Sequence, residues 1–226
     1  EGPAFCCTSE DIRAAVKRLW DRLHANPGLC LTVDLEGELG GHHCHISLMQ
    51  VSVGSFKGEP HLTYVLDTHT NGQVVFERVA DGLPSMRGLL EDASIPKFLH
   101  SCYGDLWSMF MRYDVHTRCL LDSAIADCLI QARNHNRPRG LLQCIQEYLG
   151  DDVTLKHKGQ LDFERHMFEA RPLTLRLFEY AYEDVIFGHS LYIAMLRCVD
   201  QLGIRELAFA LSQERAPEVK LFADVP

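Results

Sequence analysis

The chain has 226 residues, 46% of them hydrophobic and 23% charged, with a net charge of −9. That is enough for one large domain with a full core, and no apolar run approaches the roughly 18 residues of a membrane span. The acidic balance argues against broad electrostatic binding of nucleic acid but leaves room for a local basic patch. Nine cysteines are scattered without a CxxC pair, which fits a reducing compartment better than a disulfide scaffold. No basic n-region leads into an apolar stretch, so no signal peptide is expected. Together these point to an intracellular protein.

In chain order, SEDIRAAVKRLWDRLHAN predicts a helix capped by Ser9. CLTVDLEG, CHISLMQVSVG and HLTYVLDTH predict three successive strands in an antiparallel meander, with GELGGHH as the first turn. VVFERVADGLPSMRGLLED is helical in its second half and stops before Pro96. PKFLHSC and TRCLLDS read as short strands, each followed by a helix, GDLWSMFMRYD and AIADCLIQARN. GLLQCIQEYLG is a further helix that Gly150 ends. TLRLFEYAYEDVIFGHSLYIAMLRCVDQLG is a long helical segment with a bend expected near Gly188, and the tail from Arg205 has no clear placement. Strands in succession followed by strand–helix alternation predict an α/β domain, a mixed sheet with helices on its faces. In such sheets ligands bind at the strand ends.

The stretch TVDLEG poses the functional question. Asp34 and Glu36 fall on one face of a strand, where adjacent like charges repel and are costly to bury. A solvated strand end and a metal site both fit that pair alone. Asp105 and Asp122 stand at strand-to-helix junctions, where carboxylates cap helices. Tyr180 and Asp184 share a helix face four residues apart.

In order, VDLEG, KFLHSCYGDL and RPLTLRLFEYAYEDV resemble the three exonuclease motifs of the DEDD superfamily. The Tyr-x-x-x-Asp form of the third resembles the tyrosine subgroup, which includes ribonuclease D. The likeness runs from about residue 10 to about residue 200 and takes in LLDSAIADCLI and the RPL that precedes the third motif. It implies a ribonuclease H-like fold for residues 1–205, with residues 206–226 as an unplaced tail, and a 3′–5′ exonuclease centre using two divalent ions, Mg²⁺ or Mn²⁺. Carried over by motif, Asp34, Glu36, Asp105 and Asp184 are the metal-holding acids and Tyr180 the residue that orients the attacking water. His100 matches the histidine often found ahead of the second acid. Oxygen donors with open positions suit those ions. Paired ions would stabilise the attacking water and the leaving oxygen.

Gly37 departs from many relatives, which carry a larger side chain there. The Asp-x-Glu-Gly form resembles the branch that contains Egalitarian and the exonuclease 3′–5′ domain-containing proteins, and some of that branch bind RNA rather than degrade it. Two functions therefore stand: an exonuclease on single-stranded or frayed RNA or DNA, and a non-catalytic RNA-binding or scaffolding module that could also engage protein partners. Arg133, Arg137 and Arg139 form the best basic patch for nucleic acid, and Lys156, His157 and Lys158 a second. HHCH, His42 to His45, has metal-ligand residue types, but a solvated hairpin is expected because no second Cys/His cluster is evident. Asp67 and Asp122 are expected to be structural, and Trp107, Phe110, Phe178, Tyr182, Phe187 and Tyr192 to be core.

Overall fold

The structure, a computed structural model, describes residues 2–56, 58–80, 82–132, 138–157, 164 and 166–217. Its elements run β1 (Ala4–Cys6), α1 (Ser9–Ala25), β2 (Leu31–Glu38), β3 (His45–Val53), β4 (Leu62–Asp67), α2 (Thr68–Val75), α3 (Met86–Glu91), β5 (Lys97–Leu99), α4 (Tyr103–Tyr113), β6 (Leu120–Asp122) and α5 (Ser123–Ile130). There follow α6 (Leu141–Leu149), a 3-10 helix (Met167–Glu169), α7 (Leu175–Ile186), α8 (Gly188–Gln201) and α9 (Arg205–Gln213). Among the described residues no helix is long and apolar enough to cross a membrane.

The strands form one sheet in the order β1-β4-β3-β2-β5-β6. The β2–β3–β4 meander is antiparallel as expected, and β5 and β6 continue parallel to β2. Only β3 runs against the rest, so the carboxyl ends of β2, β4, β5 and β6 meet at one edge. This is the mixed α/β, ribonuclease H-like arrangement. Period-two alternation divides β2 between two cores: Leu31, Val33 and Leu35 pack with Ile12, Val16 and Leu19 of α1 and with Leu106 and Met109 of α4. On the opposite face, α7 covers Leu48 and Val65, while α5, α6, α8 and α9 cover Cys30, Phe98 and Leu121.

Several boundaries differ from expectation for local reasons. Thr8, not Ser9, caps α1, its hydroxyl accepting from the Asp11 N–H. The long C-terminal segment is two helices broken at Phe187. A Cβ on Gly188 would lie 2.1 Å from Thr32 Cγ2, so glycine permits the helix pair to sit directly on β2. The start of the expected tail is α9, which packs against β6: Ser212 Oγ accepts from the Asp122 N–H at 2.9 Å. Residues 218–226 lie outside the described residues.

Candidate active site at the strand ends

Two elements on opposite faces of the sheet bring acids to β2. The alternation that buries Val33 and Leu35 turns Asp34 and Glu36 toward α7. Gly188 meets the sheet at Thr32. Four helical residues before Gly188 and two strand residues beyond Thr32 both span about 6 Å. The helix pair, running against β2, therefore lays Asp184 beside Asp34 and Glu36. One carboxylate oxygen from each of the three lies within 4.8 Å of the others. Asp184 is buried, while Asp34 and Glu36 are half-buried. The sequence separation of roughly 150 residues is closed where the helix pair packs on the sheet, Gly188 allowing the close approach at Thr32.

Asp105 arrives from the other face, in the first turn of α4 just beyond β5. It is 7% exposed. The helix N-cap is Cys102, with no side-chain bond, so Asp105 is not the cap. Burial pushes its carboxyl up to about 7, against the pull of its own backbone N–H and that of Leu35, and the charges of Asp122 and Asp184 push the same way. Its Oδ1 has no hydrogen-bond partner among the described residues. A buried, unpartnered oxygen beside other acids is the environment a divalent cation relieves. The all-oxygen donor set of Asp34, Glu36, Asp105 and Asp184 fits Mg²⁺ or Mn²⁺.

Tyr180 is buried one turn before Asp184, its ring 6.1 Å from that of Phe168. His100 stands at the same edge, Nδ1 2.8 Å from Ser123 Oγ. All five residues of the expected centre, with His100, thus belong to the strand-end region. Gly37 has a local reason for being glycine. A β-bulge between Glu36 and Gly37 brings β3 so close that a Cβ, at φ +148°, would lie 2.1 Å from the His45 carbonyl oxygen.

The acids expected to be structural are engaged by the fold. Asp122 caps α5 through the Ala124 N–H and also accepts from the Ser101 and Cys102 N–H groups. Asp67 caps α2 and accepts a two-point ion pair from Arg171 of the RPL segment, with Arg171 Nε 2.8 Å from Asp67 Oδ2. Burial pushes the Asp67 carboxyl up, but the bonds from Arg171 and Thr70 outweigh it and hold the group below the usual range. Arg171 also donates to the carbonyl oxygens of Phe168 and Ser47, tying the approach to α7 onto the sheet.

The basic patches fare differently. Arg133 and Arg137 lie outside the described residues, as does Lys158. Arg139 is engaged in an ion pair with the fully buried Asp127 and another with Glu147, which joins α5 to α6. His157 is anchored too, its ring and backbone N–H both on Glu183. Tyr192 is core as expected, while Trp107, Phe110, Phe178, Tyr182 and Phe187 are only partly buried. What sequence reasoning missed is the tie between Arg171 and Asp67, and a meeting of His45 with His69 and Glu169. The arginine stood in the RPL match; His45 stood in the HHCH run, read as a solvated hairpin, but its partners His69 and Glu169 come from two other elements that no spacing in the sequence links to it.

A profile of the 3′–5′ exonuclease domain matches residues 9–200. No curated protein matches in sequence. Among solved structures, the catalytic core of RRP6 from Trypanosoma brucei superposes with a TM-score of 0.73 at 19% identity, over 96% of this chain and 52% of that one. Escherichia coli RNase D, described as an exoribonuclease involved in structured RNA processing, gives 0.69 at 22% identity, over 97% and 52%. Brucella melitensis NrnC with bound Mg²⁺ gives 0.63 at 19%, over 99% and 96%. The chain spans about half the length of the RRP6 and RNase D chains. The profile match and the shared fold agree with the acid cleft: the chain belongs to the 3′–5′ exonuclease family.

Proposed function

We propose that this domain is a metal-dependent 3′–5′ exonuclease of the tyrosine subgroup, acting on single-stranded or frayed nucleic acid. The observation that carries the reading is the meeting of Asp34, Glu36 and Asp184 oxygens within 4.8 Å, with the buried Asp105 beside them. Two Mg²⁺ or Mn²⁺ ions held by these four carboxylates would supply positive charge for the attacking water and the leaving 3′ oxygen. The protein's own part is positioning. The Leu35 N–H bonds the Asp105 carboxyl to β2 between the two acids of the strand. The Tyr180 hydroxyl orients the water for in-line attack, its ring fixed by burial against Phe168. His100 and the segment containing Arg133, Arg137 and Arg139 contact the nucleic acid in this reading. Arg139 already pairs with Asp127, so Arg133 and Arg137 are the residues to test.

RNA is the first substrate to try, because RNase D is described as an exoribonuclease. The bulge at Gly37 accounts for that glycine without reference to activity, so it carries no argument for an inactive relative. Oligonucleotides labelled at the 3′ or the 5′ end and incubated with Mg²⁺ or Mn²⁺ test the reading. A ladder that shortens from the 3′ end is expected. Binding of RNA without shortening in either metal would replace the enzyme with an RNA-binding or adaptor module.

A further inference from the structure

His45 opens β3, His69 is the second residue of α2, and Glu169 ends the 3-10 helix; the three are far apart in sequence and meet at one corner of the sheet. His45 Nε2 lies 2.9 Å from His69 Nδ1, with the rings nearly perpendicular at 83°. A Glu169 carboxylate oxygen completes a set whose ligand atoms all fall within 4.8 Å. Two imidazole nitrogens on one tetrahedral ion, each about 2.0–2.1 Å from it, stand about 3.3 Å apart. The rings thus need to open by only a few tenths of an ångström to admit an ion.

The surroundings are those of a ligand set. His166 Nδ1 sits 2.7 Å from Glu169 Oε1, the outer hydrogen bond that metal-ligating carboxylates ordinarily carry. His166 Nε2 is 3.7 Å from Glu38, and Glu38 is the cross-strand partner of His45. His45 and Glu169 are half-buried, while His69 is exposed and gives an entry path. Two nitrogens and one oxygen suit Zn²⁺ and its neighbours, not Mg²⁺.

We propose that His45, His69 and Glu169 form a second metal site, for a Zn²⁺-class ion, separate from the acid centre. Three protein ligands leave a fourth position open to solvent. The ion clamps the 3-10 helix to β3 and α2. That helix lines a cleft of about 420 Å³ together with Glu36, Gly37 and His166, and it leads into Arg171 and then α7. A bound ion therefore fixes one wall of the cleft that contains Glu36.

The test uses the full chain carrying Asp34→Asn and Asp184→Asn, which silences the acid centre. Co²⁺ titration should give visible ligand-field absorption at one equivalent, and Zn²⁺ should displace it. His69→Ala and, independently, His45→Gln should weaken Zn²⁺ binding more than about a hundredfold, the loss of one of a few ligands. A His42→Ala/His43→Ala variant should bind as before. His69 is exposed, so His69→Ala should melt like its parent without metal, and that melt serves as the folding control. Absence of absorption at saturating Co²⁺, or unchanged Zn²⁺ affinity in a folded His69→Ala protein, would overturn the site. Neither result bears on the exonuclease reading, which rests on other residues.

Discussion

Acids of one chemical type are buried at one edge of this sheet and in the helix that follows β6, and they meet opposite fates. Asp67, Asp122 and Asp127 are all nearly inaccessible, and each is answered by the fold: the Thr70 N–H and hydroxyl and Arg171 for the first, four donors for the second, Arg139 and the Tyr148 hydroxyl for the third. Asp105, equally enclosed, keeps an oxygen with no hydrogen-bond partner among the described residues, and burial lifts its carboxyl to about 7. It lies among acids, with Asp184 and Asp122 both adding to the repulsion. The difference teaches that burial does not mark a functional acid. What sets Asp105 apart is a buried oxygen left without a hydrogen-bond partner among the described residues, with other acids close by.

The largest break in that comparison comes from the cleft. Asp34→Asn should abolish cleavage, a rate loss beyond about a thousandfold or 4 kcal/mol, with little change in the urea melt. Single-turnover assays and denaturation of the same sample check both halves. Removing an answer from the other set should do the reverse. Arg171→Ala leaves Asp67 buried without its cation and should cost about 3–5 kcal/mol of stability, read from denaturant melts, with part recovered in Arg171→Ala/Asp67→Asn.

Asp105→Asn sharpens the contrast through pH. A carboxyl whose folded-state pKa is raised favours the folded state at low pH, and that contribution is lost as pH rises from about 4 in the unfolded chain through about 7 in the folded one. In metal-free buffer the wild type should therefore weaken across that window. Asp105→Asn should be more stable than wild type at pH 8 by about 2–4 kcal/mol, with the gap closing near pH 4. Equal stability at pH 8 would mean that Asp105 is already answered, like Asp122.

Tyr180→Phe keeps every carboxylate and nearly all the packing. It should slow cleavage roughly a hundredfold, about 3 kcal/mol in the transition state, while metal and RNA binding persist. Cleavage at the parental rate would remove the hydroxyl from the chemistry. Smallest is Arg137→Glu, which should weaken RNA binding at low salt and lower the salt slope by about one to two. An affinity unchanged across a salt titration would leave that segment outside the interface.

Much of this was legible in the sequence because period carries it. Alternation put Asp34 and Glu36 on one face of β2, and helical spacing put Tyr180 above Asp184. The β2–β3–β4 meander and the helices from α4 to α8 follow from the same patterns. What stayed illegible depends on contacts between distant segments. β1 is three residues long, and α2, THTNGQVV, is a poor helix former with a kink at Asn71; tertiary packing decides both. α9 had no clear placement in the sequence, because its partner, the Asp122 N–H, lies 90 residues away. The role of Arg139 could not be read at all, because a basic loop and a buried ion pair with Asp127 look alike until α5 and α6 are packed.

The central claim is that the cleft acids, and not their capped neighbours, hold catalytic divalent metal. Anomalous diffraction from crystals soaked in Mn²⁺ tests this most directly. The account predicts a peak ringed by Asp34, Glu36 and Asp184, absent from the Asp34→Asn/Asp184→Asn protein and unaccompanied by density at Asp67 or Asp122. No peak among those three carboxylates at saturating Mn²⁺, or a peak on the capping acids in their place, would contradict it.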